Sequence, residues 1–436
     1  MHNPSLEAFI PFSRRDLLGM ILADQAFAAQ HGKAFTAFCQ LLDAWLHHAY
    51  HGRLEALKAD FAHLDPDRDT VVREQPEPAV CAAREARLLE SLSWVLERAN
   101  YRSLSQPQLV ETMAGRSLLE LELDVDFADF DQMLFFWRGA TVMPLPPVPK
   151  WQFWKRPAGT MEVFQRVMLL IRFKDAAYFA AKGQKPEALG FTPGKMYLYL
   201  YKLIPKLDLE VLFPNVRIRM TLKDRLLFVV PALGAAVPMV LKALPQLLLV
   251  VAVILFFTLG PGSVERLGFS GSQIGNFLPV LAALLSLGMI FGGFAAKQYL
   301  GYKNKKLKFL KDVTDTLFFR NLVSNAGVFH GLIDAAEEEE AKEIMLAAYQ
   351  LSLAGTESLD AAALDDRIEA WLAEQGVAVD FDVDKALKTM TEIESQGRHL
   401  LEKVAAGGLQ LMPLDGACAL LDQIWDGLYE FSQDSA

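Results

Sequence analysis

The residue types able to do chemistry gather in three short stretches. In DAWLHHAYHG, Asp43, His47 and His51 recur every four residues, so a helix sets them on one face, where two imidazoles and a carboxylate can hold a metal ion. No fourth ligand and no HExxH pattern accompanies them, and with His48 they read as surface histidines of an amphipathic helix. In DPDRDT, Asp65, Asp67 and Asp69 begin like a calcium loop, but Thr70 stands where Gly is needed and Pro76 where a bidentate Glu is needed, so a calcium site is rejected. In HGLIDAAEEEEAKE, His330, Asp334, Glu337 and Glu338 fall on adjacent turns and could bind a cation or relay protons. The default for that run is a solvated helical face on which Glu338 pairs with Lys342. The chain has no GxxxxGK loop, no dinucleotide fingerprint and no GxSxG elbow. A non-enzymatic role is favoured, with no cofactor and no metal expected.

The elements that would position these groups are bounded by composition. The chain has 436 residues, enough for two or three domains. Its apolar fraction of 52% and mean hydropathy of +0.19 point to a few membrane spans joined to soluble mass. Cys39, Cys81 and Cys418 are widely separated and odd in number, which supports neither a disulfide framework nor a thiolate zinc site and suits a reducing compartment. The opening MHNPSLEAFIPFSRRDLL resembles neither a secretory signal nor a transit peptide. Charge is uneven: the net of -10 divides into -17 from Gly327 onward and +7 before it.

The most apolar region predicts a transmembrane helical hairpin over residues 226–298. Between Lys242 and Glu265 lie 22 uncharged residues, and a second uncharged stretch runs from Leu267 to Ala296. Spans are expected at about 243–261 and 276–296, since roughly 20 apolar residues cross a bilayer. Residues 226–241, with Pro231, Gly234 and Pro238, read as a kinked or interfacial lead-in. Arg217, Arg219, Lys223 and Arg225 before the hairpin, and the Lys-rich exit after it, predict that both termini are cytoplasmic. Lys242, Lys297, Lys303, Lys305, Lys306, Lys308 and Lys311 are expected at the membrane surface. Trp151 and Trp154, set among cations in the loop MPLPPVPKWQFWKRPAG, suit the same interface, and a plain loop covering its own core is an equal alternative. Gly288 and Gly292 form a GxxxG expected to pack the spans together, with homodimerisation as the sharper alternative.

Outside the hairpin, residues 1–115 read as an N-terminal helical domain, with Phe35, Phe38, Leu41, Leu42, Trp45, Leu46 and Ala49 at three-and-four spacing and Ser105 capping a helix that has Pro107 in its first turn. Residues 116–225 read as a small antiparallel α+β domain, because MLFFWRG, VFQRVMLLIRF, MYLYLYKL and VRIRMT are aromatic and β-branched. A basic juxtamembrane helix is expected over 299–326 and an acidic, winged-helix-like C-terminal domain over 327–436. That acidity opposes phosphate contact, so protein rather than nucleic acid is the expected partner.

Five segments carry a family resemblance: FIPFSRRDLL (9–18), LKADFAHLDPDRDT (57–70), KLIPKLDLEVLFPNVRIRMTLKDRL (202–226), GVFHGLIDAAEEEEAKEIMLAAY (327–349) and IEAWLAEQGVAVDFDVDKAL (368–387). Together they resemble the transmembrane protein 143-like family, a domain-of-unknown-function family of bacteria, plants and animal mitochondria. The resemblance covers nearly the whole chain and implies membrane residence but no activity or cofactor. The resulting expectation is a mixed α and α+β integral membrane protein of the bacterial inner membrane, or of a mitochondrial membrane in a eukaryote. It would anchor a cytoplasmic protein partner, with lipid contact and possible homo-oligomerisation; a membrane-associated enzyme or transport accessory is the alternative.

Overall fold

The computed structural model describes residues 7–71, 77–113, 122–144, 160–185, 189–219, 320–355, 359–403 and 408–428, with scattered helical residues between 244 and 311. Helix α1 (Arg14–Leu22) opens where Ser13 Oγ accepts from the Asp16 amide, and α2 (Gln25–Phe61) opens where Asp24 caps the amides of Ala26 and Phe27. The apolar spacing of α2 becomes a buried stripe that includes Phe35, Phe38, Leu42, Leu46, Tyr50 and Leu57. Helix α3 (Pro78–Arg98) starts on a proline, whose missing N–H costs nothing in a first turn. After β1 (Arg102–Ser103), the Ser105 amide donates to Gln108 Oε1 at 3.0 Å, the return half of a capping box that starts α4 (Gln106–Met113).

The strands follow: β2 (Glu122–Asp124), β3 (Phe130–Pro144), β4 (Thr160–Phe173), then helix α5 (Ala176–Ala181), β5 (Met196–Pro205), β6 (Arg217–Arg219) and β7 (Asn321–Ser324). An antiparallel sheet has the order β1-β3-β4-β5-β7, while β2 pairs with β6. In β4 the run Val167, Met168, Leu169, Leu170 and Ile171 is buried on both faces, which is why its sequence does not alternate. Met168 and Leu170 join Phe136, Leu198 and Leu200 against the helices.

Helix α6 (Ala326–Ala354) leaves β7 through Asn325, whose φ of 51° is left-handed. The Asn325 amide donates to Leu198 O and its side chain accepts from Leu198 N and donates to Asp67, so the rejected calcium-loop aspartate pins the start of α6. The chain continues through α7 (Ala361–Glu374), α8 (Val383–Glu392), the short pair β8 (Glu394–Ser395) and β9 (Arg398–His399), the hairpin β10 (Leu401–Lys403) and β11 (Leu409–Leu411), and α9 (Leu414–Gly427). Leu359 bridges antiparallel to Leu409. From α6 the order is therefore helix, bridge, helix, helix, short strand pair, hairpin and helix.

The chain divides into two compact units, one of residues 1–116, 126–209 and 320–436, the other of residues 117–125 and 210–319. The regions read from sequence as N-terminal helical and C-terminal thus share the first unit with residues 126–209 of the α+β region, whose β2 and β6 fall in the second unit, and within the first unit α6 packs on α1, α2, α3, α7, α8, β5 and β7.

The expected membrane architecture is corrected. Among the described residues no helix is long and apolar enough to cross a membrane, and the fold they show is mixed α and β with an antiparallel sheet. The integral membrane protein, the two-span hairpin, the topology with both termini cytoplasmic and the placement in a bacterial inner or mitochondrial membrane all rested on that hairpin, most of which lies outside the described residues. Freedom from charge does not by itself make a span, which needs an uninterrupted helix of roughly 20 residues. Pro231, Pro238, Pro245, Pro261 and Pro279 punctuate this region.

Candidate functional site

Helix α6 is rich in Ala, Glu and Leu, all strong helix formers, and it is enclosed from Ala341 to Gln350. Burial on every side takes Glu337, Glu339, Glu340, Lys342 and Glu343 into the interior, where a charge persists only if paired and hydrogen-bonded. Glu340 receives hydrogen bonds from Tyr50 of α2, Arg98 of α3 and Thr389 of α8. Glu339 accepts from the Ile10 amide at 3.2 Å, from Asn100 Nδ2 at 3.2 Å and from Lys342 Nζ at 2.6 Å. Lys342 also donates to the carbonyls of Ile10 and Phe12, tying the N-terminal segment to α6.

Asn100 stands at the centre of this network. Its Nδ2 donates to Glu339 and to Glu343 Oε1 at 3.0 Å, while its Oδ1 accepts from Lys385 Nζ of α8 at 2.8 Å. Glu343 Oε2 is buried with no hydrogen-bond partner among the described residues. Burial and the neighbouring Glu339 and Glu340 push the Glu343 carboxyl up to about 8, against the pull of Lys385 and Asn100.

A second cluster joins two stretches that sequence spacing singled out separately. Arg14 reaches Asp43 at 3.0 Å, Glu338 at 2.5 Å and Glu337 at 3.6 Å, and His47 Nδ1 lies 3.1 Å from Glu337. The guanidinium occupies the position between the carboxylates that a cation would need. Among the described residues no group of three or more His, Cys, Asp or Glu is arranged to hold a metal. His51, His330 and Asp334 are exposed, Glu338 half-buried and Glu337 buried. The solvated face with a Glu338 to Lys342 pair is replaced by Glu338 on Arg14 and Lys342 on Glu339.

Helix α8 separates two concavities. Its inner face buries Val383, Ala386, Leu387, Thr389 and Met390, leaving Asp384, Lys388, Thr391 and Glu392 outward. On one side Asp365, Asp366, Glu369, Asp380, Asp382 and Asp384 converge on a concavity of about 260 Å³. Asp365 Oδ1 is buried there with no hydrogen-bond partner among the described residues, and burial, with Glu369, Asp366 and Asp380, pushes its carboxyl up to about 6. On the other side Ala361, Leu387 and Leu409 floor a concavity of about 520 Å³ rimmed by Lys388, Lys403, Thr391 and Glu392, and Asp384 belongs to both.

Of the other residues singled out from sequence, Lys297, Lys303 and Lys311 are helical and exposed, whereas Lys242, Lys305, Lys306, Lys308, Trp151 and Trp154 lie outside the described residues. Gly288 and Gly292 are helical and exposed, and a Cβ at either meets nothing within 4 Å. Sequence reasoning missed Tyr50, Arg98, Asn100, Lys385 and the carboxylates beside α8. One signal was present: Glu339 and Glu343 stand four apart, a repulsive spacing on a solvated helix.

Residues 164–327 match a family model described as a protein of unknown function, DUF3754. The match, which spans less than half of the chain, is to that uncharacterised family and not to the transmembrane protein 143-like family, so the resemblance read from the sequence is corrected. No solved structure matches the chain.

Proposed function

We propose that the chain is an interaction protein whose α7–α8 face docks a basic, aliphatic segment of a protein partner. The observation that carries this reading is the sharing of Asp384 by an acidic concavity and an apolar-floored one on either side of α8. Cationic side chains suit the first, which is lined by Asp365, Asp366, Glu369, Asp380, Asp382 and Asp384, and an aliphatic anchor suits the second above Leu387 and Leu409. The net charge of -17 over residues 327–436 adds long-range attraction for such a segment.

The test is fluorescence anisotropy with the full chain and a short synthetic peptide of repeating Leu, Arg and Lys. Asp366→Asn with Asp384→Asn is expected to weaken binding roughly tenfold, the size of two rim charges worth about 1.4 kcal/mol together. Peptide that binds the double variant as well as the parent, or that fails to bind the parent at low salt, overturns the reading.

A further inference from the structure

The outer face of α8 is exposed, while its inner face is held by the buried network of α6. Lys385 reaches Asn100, and Thr389 donates to Glu340. Asn100 in turn offers one amide to two carboxylates, Glu339 and Glu343. The charged and titratable groups of the cluster around Glu343 are Glu339, Glu340 and Lys342 on its own helix, Tyr50 from α2, Arg98 from α3, Arg138 from β3, whose guanidinium lies 3.9 Å from Glu339, and Lys385 from α8, with Asn100 between them. Arg98 is committed to Glu340, Lys342 to Glu339, and Lys385 lies 3.3 Å from Asp382. Glu343 is therefore the member of the cluster whose second oxygen meets no donor, at 1% exposure.

We infer that Glu343 is a proton-operated latch for α8: neutral, it lets α8 and Asn100 close on α6, and ionised, it loosens that seat. An ionised Glu343 would place a third carboxylate beside Glu339 and Glu340 with half its hydrogen-bonding capacity unmet; Lys385 and Asn100 favour that ionised form, but the cost of its burial outweighs them, and movement of α8 relieves that cost by admitting water. The raised ionisation of the carboxyl places this change in the mildly alkaline range. A further consequence, which rests on the docking reading above, is that alkaline pH weakens partner binding.

Hydrogen exchange of residues 383–392 in the full chain, corrected for the intrinsic pH dependence of exchange, tests the latch at about pH 6 and about pH 9. Protection of α8 is expected to fall about tenfold at the higher pH, one pKa unit of coupling, and Glu343→Gln is expected to remove that fall. Equal protection of the parent at both values, or a fall that persists in Glu343→Gln, overturns the proposal. Carboxyl NMR on the parent chain tests it without a variant. A glutamate Cδ resonance titrating near 8 supports the latch, and a full set titrating below about 6 overturns it. The Leu, Arg and Lys peptide separates the two readings: absence of binding at both pH values overturns docking alone, and pH-independent binding overturns the coupling between latch and groove.

Discussion

Arg98 and Glu340 meet with their side chains only 8% and 4% exposed, and neither could be buried alone. Arg98→Met is expected to lower stability by about 3–5 kcal/mol, because Glu340 keeps Tyr50 and Thr389 as donors but loses its counter-charge. Removing both partners, as Arg98→Met with Glu340→Met, is expected to cost less than the sum of the single changes, since no uncompensated charge remains. Urea unfolding of the four proteins checks the cycle; strictly additive costs would show that the two residues act independently. These partners were invisible to spacing arguments. Arg98 lies 242 residues from Glu340 and Ile10 lies 329 from Glu339, so periodicity along α6 reports which residues share a face but not what covers it. The polar letters of EEEEAKE therefore read as solvated, although the apolar IMLAAYQL that follows already indicated a helix enclosed on all sides.

At the scale of elements, legibility tracks how local the determining interactions are. The α2 stripe, the Ser105 start of α4 and the strands β3, β4 and β5 follow from neighbours within a few residues, and all five can be recognised in the sequence. The two-residue β1, the closing strand β7 and the Leu359 bridge cannot, because each is defined by pairing with distant chain: Arg102 with Trp137, Ser324 with Tyr199, and Leu359 with Leu409. The hairpin over 226–298 shows the opposite error, in which a local quantity, absence of charge, stood in for a helix length that it does not measure. The N-terminal segment is also held at a distance. Glu7 accepts from the amides of Gly139 and Ala140 at 2.7 Å, and Lys342 takes the carbonyls of Ile10 and Phe12. Lys342→Met removes the second of these ties and leaves Glu339 without its ammonium. Amide exchange over residues 7–13 is expected to rise at least tenfold while exchange in β4 stays unchanged; protection lost equally in both would mean that the lysine supports the whole unit and not this segment.

For the molecule as a whole, the charge asymmetry and the buried carboxyl make different demands on pH and salt. Attraction of a cationic peptide to the acidic α7–α8 face is a surface effect, so affinity is expected to fall as salt shortens the Debye length from about 30 Å at 0.01 M to about 8 Å at 0.15 M. Glu343, fully enclosed, escapes that screening. Its carboxyl, raised to about 8 in the folded chain, returns on unfolding to about 4.3. Between these values the folded chain binds the extra proton, so stability is greatest at and below the unfolded value, declines as pH rises, and levels off above the folded value. The slope from this single group reaches about 1.4 kcal/mol per pH unit where the two states differ by one whole proton. Asp365, raised to about 6, adds a decline of the same sign at the acid end of the window. Urea midpoints of the parent and of Glu343→Gln across the window separate the contributions. Subtracting one curve from the other cancels Asp365, and the difference should grow steadily from about pH 5 and flatten near 8, whereas parallel curves would mean that Glu343 is already ionised inside the fold.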